Sequence, residues 1–434
     1  MKTALKRILA ASVAAVALGG SLAACSSNSG GGSGGSGDGA NGTLTLWTHN
    51  AGNAAELAAD QSVVDAFNAS QSKVKIKVQA FPQDSYNNSV VAAAAAHKLP
   101  CLVDIDEPNV PNWAWSKYLQ PLNLSADLSQ NLPSTVGKWN GQTYSVGLYD
   151  VALAMFARKS DLTAAGVRVP TVEKPWTKDE FDSALASLKK LGKWQTPLDL
   201  GTAGTGEWLP YGYSPFLQSF GGDLINRNGY QSADGALNGD KAVAWAQWFR
   251  GLVTQGYMAQ KSGQDSTKDF LNGKSAILYT GSWAADDARK ALGDDLVVLP
   301  VPDLGTGPKI GGGSWQWGVT SGCQNTQAAQ DFLSFMLKPE NVAKVASATG
   351  TIPATAAAAA LMPAYAANGA DSIFRDFSKN YAVMRPETPA YPFIATEFGK
   401  TVQDILSGGD PKSSLDKAVK NIDDNIKSNN GYKS

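Results

Sequence analysis

Asp104-Ile105-Asp106-Glu107 is the first place where this chain could do chemistry. Clustered carboxylates at a strand end serve glycoside hydrolysis, one as acid and one as base or nucleophile. The spacing fails that use. A D-x-D-x-E alternation puts its acids on one face of a strand, whereas adjacent Asp106 and Glu107 point to opposite faces. Gly273-Lys274-Ser275 ends like a phosphate-binding loop, yet Lys268 stands where the first glycine is required. Gly313-Ser314-Trp315 starts like a nucleophile elbow, but Gln316 replaces its second glycine. The two histidines, His49 and His97, do not stand in HExxH spacing, so neither a zinc site nor a Ser-His triad is supported. No catalytic constellation survives, and no cofactor or metal is implied.

Aromatic and polar residues beside turns are better represented. Trp47-Thr48-His49-Asn50 closes one predicted strand and Gly281-Ser282-Trp283 another, while Glu207, Trp208 and Tyr211 fall in a Gly/Pro-rich stretch read as a loop. In open α/β sheets ligands bind beyond the carboxyl ends of the strands. An aromatic face laid on the C–H face of a pyranose excludes water from both, and carboxylates and amides take its hydroxyls in pairs. A single tryptophan is more often core, and Trp194, Trp245 and Trp248 are assigned there. Trp283, after a Gly-Ser turn and before a helix, is assigned to a ligand.

The elements that must position these residues follow from periodicity. Leu44 and Leu46 alternate with threonines in a first strand at 43–47, and Val74, Ile76 and Val78 alternate with lysines in another. With helices at 53–67 and 90–96 and a third strand at 102–105, the order is β-α-β-α-β, the signature of a mainly parallel sheet. A second α/β unit starts after Gly147 with an apolar strand at 151–157. Thr177 to Glu180 is a capping box opening a helix that Gly192 closes. Further helices are expected at 240–255, 325–337, 393–406 and 415–426, with a strand at 275–279.

The first residues address the chain. Lys2, Lys6 and Arg7 precede a short apolar stretch at 8–18, and Leu22-Ala23-Ala24-Cys25 offers small residues before a cysteine. This is a secretory signal (1–24) ending in a lipobox, with an apolar run too short to span a bilayer. Two or more acyl chains on Cys25 would anchor the protein stably to the outer face of the cytoplasmic membrane. Residues 25–42, almost all Gly, Ser and Asn, are expected to form a flexible tether with a reach of roughly 20–25 Å.

Composition bounds the rest. With 434 residues the chain has room for two or three domains. Losing three cations with the leader takes the formal net charge from −1 to −4, and there is no basic cluster with interleaved aromatics, so nucleic acid is not an expected partner. After lipidation Cys101 and Cys323 remain. An oxidising compartment favours a bridge between them over two separately buried thiols.

In this order, several stretches resemble the extracellular solute-binding lipoproteins of bacterial ABC importers, specifically the carbohydrate-binding group that includes maltose-binding protein. They are Leu44-Thr-Leu-Trp47, 102–113, Tyr149-Asp-Val-Ala-Leu153, Leu217-Gln-Ser-Phe-Gly-Gly222, Gly281-Ser-Trp283, Gly312-Gly-Ser-Trp-Gln-Trp317 and Gly350-Thr-Ile-Pro353. The resemblance covers nearly the whole chain after the tether. It implies a two-lobed, type II periplasmic-binding-protein-like α/β fold, with mixed sheets flanked by helices and a hinge crossed more than once. Lobe one would be 43–148 plus 319–364 and lobe two 149–318 plus 365–434, with crossings near Tyr149-Asp150 and Trp317-Gly318. Carried onto this chain, the ligand contacts would be His49, Asn50, Asp106, Glu107 and Asp150, with Trp208, Tyr211 and Trp283 from lobe two, and Trp315 and Arg385 as looser assignments. Where the maltose group has a basic residue after the first strand, this chain has His49-Asn50-Ala51-Gly52.

The resemblance thus implies a monomeric, non-enzymatic receptor that carries a mono- or oligosaccharide to permease subunits, tied to the membrane only by lipid. Two rival classes remain: a surface glycan hydrolase using Asp106 or Glu207, and a tethered adhesin.

Overall fold

The computed structural model describes residues 42–366 and 368–433. The predicted signal, the predicted lipidation site Cys25 and all of the tether except Gly42 lie outside the described residues. In chain order the strands are β1 (Thr43–Thr48), β2 (Lys75–Ala80), β3 (Leu102–Asp106), β4 (Val136–Trp139), β5 (Gln142–Val146), β6 (Tyr149–Asp150) and β7 (Leu153–Arg158). There follow β8 (Thr196–Asp199), β9 (Ser275–Gly281), β10 (Leu296–Leu299), β11 (Ile310–Gly312), β12 (Trp315–Val319), β13 (Ile352–Pro353) and β14 (Ala382–Met384).

Among the described residues these strands make two main sheets. The first runs β2-β1-β3-β12-β5-β4, with β1 parallel to β2 and β3, and β12 antiparallel to both β3 and β5. The second runs β10-β7-β9-β8, mixed in the same way. Two short ribbons, β6 with β13 and β11 with β14, sit where the chain passes between the sheets. This is the mixed, two-lobed α/β architecture expected, with more than one crossing. The described residues nevertheless form one compact unit, and the largest apolar cluster includes residues of both sheets.

Local rules account for most elements. Leu44 and Leu46 are fully buried while their threonine neighbours are not, apart from Thr48 at the strand end. Asn53 caps the helix Ala54–Ser70 by accepting from the Glu56 amide at 3.2 Å. The Thr177/Glu180 capping box closes in both directions at the start of Lys178–Lys190. Trp245 is fully buried in the helix Asp240–Thr254, and Trp248 and Trp194 are partly buried against the same core.

Three expectations are corrected. The second helix begins at Gln83 rather than at residue 90; its polar first turns carry no apolar stripe by which the sequence could show them. The Glu207–Tyr211 stretch read as a loop is the start of the helix Trp208–Phe220. Its first proline, Pro210, lies in the first turn, where the missing N–H has no helical partner to lose. Finally, Trp317 and Gly318 lie inside β12, a strand wholly within the first sheet, rather than in a link between the sheets.

Cys101 and Cys323 form a disulfide. It ties the start of β3 to the end of its antiparallel neighbour β12, beside the Thr320 N–H bond to the Cys101 carbonyl at 3.0 Å. Both cysteines therefore brace one sheet, and the bridge does not span the junction between the two.

Candidate functional site

The carboxyl ends of β1 and β3 and the start of β12 meet at one edge of the six-stranded sheet, where Trp315 pairs with Asp106. The end of β9 and the first turn of the helix Trp208–Phe220 complete the walls of a cavity of about 290 Å³. His49, Asp106, Trp208, Tyr211, Trp283, Trp315 and Arg385, all named from the sequence, line it together. It adjoins a chamber of about 800 Å³ through Glu207, Trp208, Trp315 and Gln83, and another of about 400 Å³ through Trp208 and Trp283. Trp208 borders all three.

His49 is fixed from three directions. Its Nδ1 is hydrogen-bonded to Asp104 Oδ2, its Nε2 lies 3.8 Å from Glu56 Oε2, and its ring stacks on Trp315. Burial alone would lower the His49 pKa, but the Asp104 carboxylate, with Glu56 and Asp106, holds it above its ordinary value. Glu56 in turn accepts from the Tyr149 hydroxyl at 2.5 Å. Burial raises the Glu56 pKa, against the pull of His49 and Tyr149.

Arg385 organises the opposite wall. Its guanidinium grips Asp106 with two bonds, 2.7 and 2.9 Å, and reaches Glu207 Oε2 at 3.0 Å. The Tyr391 hydroxyl donates to that same Glu207 oxygen at 2.6 Å. The guanidinium carbon also lies 5.1 Å from the Tyr211 ring centre. Burial pushes the Glu207 carboxyl up to about 7, helped by Asp106 and opposed by Arg385 and Tyr391. One arginine thus joins the end of a strand in the first sheet to the entrance of a helix that packs beside the second. Arg385 is the only Lys or Arg bordering the three chambers among the described residues, and its Nη1 and Nη2 are both committed to carboxylates.

The aromatic residues divide by exposure. Trp283 leaves 42% of its surface in solvent and is the one aromatic ring among the large exposed apolar side chains of the described residues. Trp208 and Trp315 are half-buried, and Tyr211 is buried. These rings offer flat faces beside the polar groups of His49, Asp106, Glu207 and Arg385.

Asn50, Glu107 and Asp150 do not line this cavity. Asn50 spends its amide on Thr48 and Asp60, bracing the first strand against the following helix. Asp150 accepts from Ser134, Ser378 and the Val151 amide, joining three segments at a crossing. Glu107 is buried beside Gly313, where burial pushes its carboxyl up to about 8 despite the pull of Arg385. Conversely, Glu56 and Tyr149 were missed. Each reads as an ordinary element residue, and only the fold brings them to His49.

A family model described as bacterial extracellular solute-binding protein matches residues 62–371. The chain is 26% identical over 324 residues to the sn-glycerol-3-phosphate-binding periplasmic protein UgpB of Yersinia pestis, covering 68% of this chain and 71% of that one. It is 26% identical over 282 residues to a maltooligosaccharide ABC transporter solute-binding lipoprotein of Streptococcus pneumoniae, covering 58% and 62%. In structure it is similar to the GacH receptor of Streptomyces glaucescens, solved unliganded and with acarbose: TM-score 0.74, 24% identity, 89% of this chain and 97% of that one.

Proposed function

The chain belongs to the bacterial extracellular solute-binding proteins, and from that premise we propose that it captures a mono- or oligosaccharide between its two lobes for an ABC importer. The observation that carries this is the makeup of the cleft: aromatic faces around a polar rim in which the one guanidinium is already paired with Asp106 and Glu207. A phosphorylated ligand such as the one named for UgpB would meet those carboxylates with no free cation to receive it. A neutral sugar needs none. It can lay its C–H faces on Trp283 and Trp208 and give its hydroxyl protons to carboxylate oxygens such as Glu207 Oε1.

In this reading 43–148 with about 313–364 forms one lobe and the remainder the other, hinged on the β6–β13 and β11–β14 ribbons. A sugar that binds the closed form several kcal/mol better shifts the population towards it. The closed surface is what permease subunits then recognise. Cys25 carries the lipid that holds the monomeric receptor at the membrane face; failure of labelled palmitate to appear on the protein in growing cells would rule that out.

The hydrolase reading draws on one observation, a Glu207 carboxyl near neutral pKa beside Asp106. Arg385 stands between the two carboxylates, in the space a scissile bond would need. A thermal-shift series of mono-, di- and trisaccharides, acarbose and sn-glycerol 3-phosphate decides the matter. At least one glycan should stabilise the protein, by about 2.7 kcal/mol at a hundred times its Kd, and remain intact after long incubation. Stabilisation by glycerol phosphate alone, or release of sugar products, would sink the proposal.

A further inference from the structure

We infer that Gly281 and Gly204 are positioning residues for the ligand platform: each lacks a side chain so that a cleft tryptophan can lie flat on its backbone. A methyl group at Gly281 would fall 2.0 Å from Cζ3, and 2.3 Å from Cε3 and Cη2, of the Trp283 ring. At Gly204 it would fall 2.3 Å from Cδ1 and 2.8 Å from Cγ of Trp208. Contacts under 3 Å cannot be kept, so the ring or the backbone must move.

The usual reason for glycine does not apply at these two positions. Neither is among the glycines with positive φ, and Gly281 has an extended backbone, φ −96° and ψ 174°, open to any residue. What excludes a side chain is the ring. Gly311 repeats the arrangement under Tyr211, with its Cβ position 2.6 Å from Cδ2 and Cε2, although there the helix carbonyl at 2.5 Å shares the contact. Three cleft aromatics, Trp208 and Tyr211 from one helix and Trp283 from the end of β9, are thus seated on glycines from three parts of the chain.

The consequence is preorganisation. Trp283 is largely exposed, and an exposed ring on an ordinary residue would sample several rotamers and lose that freedom on binding. Pressed onto Gly281, its face is presented before the ligand arrives. Gly204 does the same for Trp208, whose Nε1 donates to Tyr213 at 3.2 Å and fixes the other end of the indole. This inference rests on the sugar-binding reading, but its structural core can be tested without a ligand.

The test is a double-mutant cycle, using the panel sugar that most stabilises wild type, with maltotriose tried first. Gly281→Ala should weaken binding at least tenfold, and should add nothing once Trp283 is already alanine. Gly204→Ala with Trp208→Ala should behave alike, which keeps the test open if one variant does not fold. Gly52→Ala, with open space around its Cβ position, should bind as wild type. Unchanged affinity in both glycine variants, or losses that add to those of the tryptophan variants, would overturn the inference. If no sugar binds wild type, the functional reading fails, and ¹⁹F spectra of protein labelled with 5-fluorotryptophan still decide this one. The Trp283 resonance, assigned by its loss in Trp283→Phe, should move in Gly281→Ala; an unmoved resonance would refute the seat.

Discussion

The imidazole of His49 lies flat on the indole of Trp315, ring centres 3.6 Å apart and planes within 3°. Asp104 holds the edge of the imidazole through Nδ1, so a buried carboxylate fixes an imidazole whose face is stacked on a tryptophan that borders the cavity. A cationic imidazole against an indole face is favourable.

That stack makes Trp315 a reporter of His49. The folded pKa of His49 is raised, so the stability its protonation contributes is complete below about 6.5 and is lost as pH rises through the folded value. Protonated imidazole quenches a stacked indole. Tryptophan emission should therefore rise with pH at a midpoint above 6.5, and the step should vanish in His49→Gln. A step that survives in His49→Gln would break the link between the two rings.

Trp283→Ala should abolish the sugar-induced change in intrinsic fluorescence and weaken binding at least tenfold, about 1.4 kcal/mol. Its exposed ring has little core packing to lose, so the melting temperature should hardly move. An unchanged titration would remove Trp283 from the site.

Trp283 was legible because a Gly-Ser turn ending a strand leaves a following tryptophan nowhere to hide. The strands and the Thr177 capping box were legible for similarly local reasons. What escaped was long-range. Asn50 and Asp150 look like ligand residues by position, yet they bond Asp60, Ser134 and Ser378 and do not line the cavity. Pro210 made the start of a helix look like a loop. Gly281 and Gly204 carry no signal at all until the rings above them are placed.

Glu107 offers a stability test with a defined sign. Burial raises its carboxyl to about 8, against about 4.3 in an unfolded chain. Its contribution is complete below the unfolded value and is lost as pH rises through the folded one, a loss on the order of 5 kcal/mol at 1.36 kcal/mol per unit. Glu107→Gln keeps the shape without the charge. Thermal unfolding should show the variant matching wild type near pH 4.5 and exceeding it near pH 9. Parallel curves across that range would show that Glu107 ionises freely in the fold.

The Cys101–Cys323 bridge closes a sequence separation of 222 residues. Constraint of so long an unfolded loop puts the cost of its removal near the upper end of the usual 2–5 kcal/mol. Cys101→Ser with Cys323→Ser should lower the melting temperature yet leave sugar affinity unchanged, since both residues brace one sheet away from the cavity. A tenfold loss of affinity would place the bridge in the hinge instead.

Arg385 is the residue whose loss should be felt most widely, because it neutralises Asp106 and Glu207 at once while only 3% exposed. Arg385→Met fills a similar volume and leaves the buried Asp106 and half-buried Glu207 carboxylates facing each other without a counter-charge. Breaking such a cluster from one side costs roughly 3–5 kcal/mol. The penalty should shrink as pH falls, since the Glu207 carboxyl, pushed up to about 7 by burial, can then take a proton. Adding Asp106→Asn and Glu207→Gln to Arg385→Met should recover most of the loss, as an uncharged cluster has no desolvated charge to stabilise. Unfolding titrations of the single and triple variants at pH 5 and pH 8 measure both effects. A single variant as stable as wild type at pH 8 would mean the guanidinium contributes nothing to holding the strand end of Asp106 against the helix entrance at Glu207.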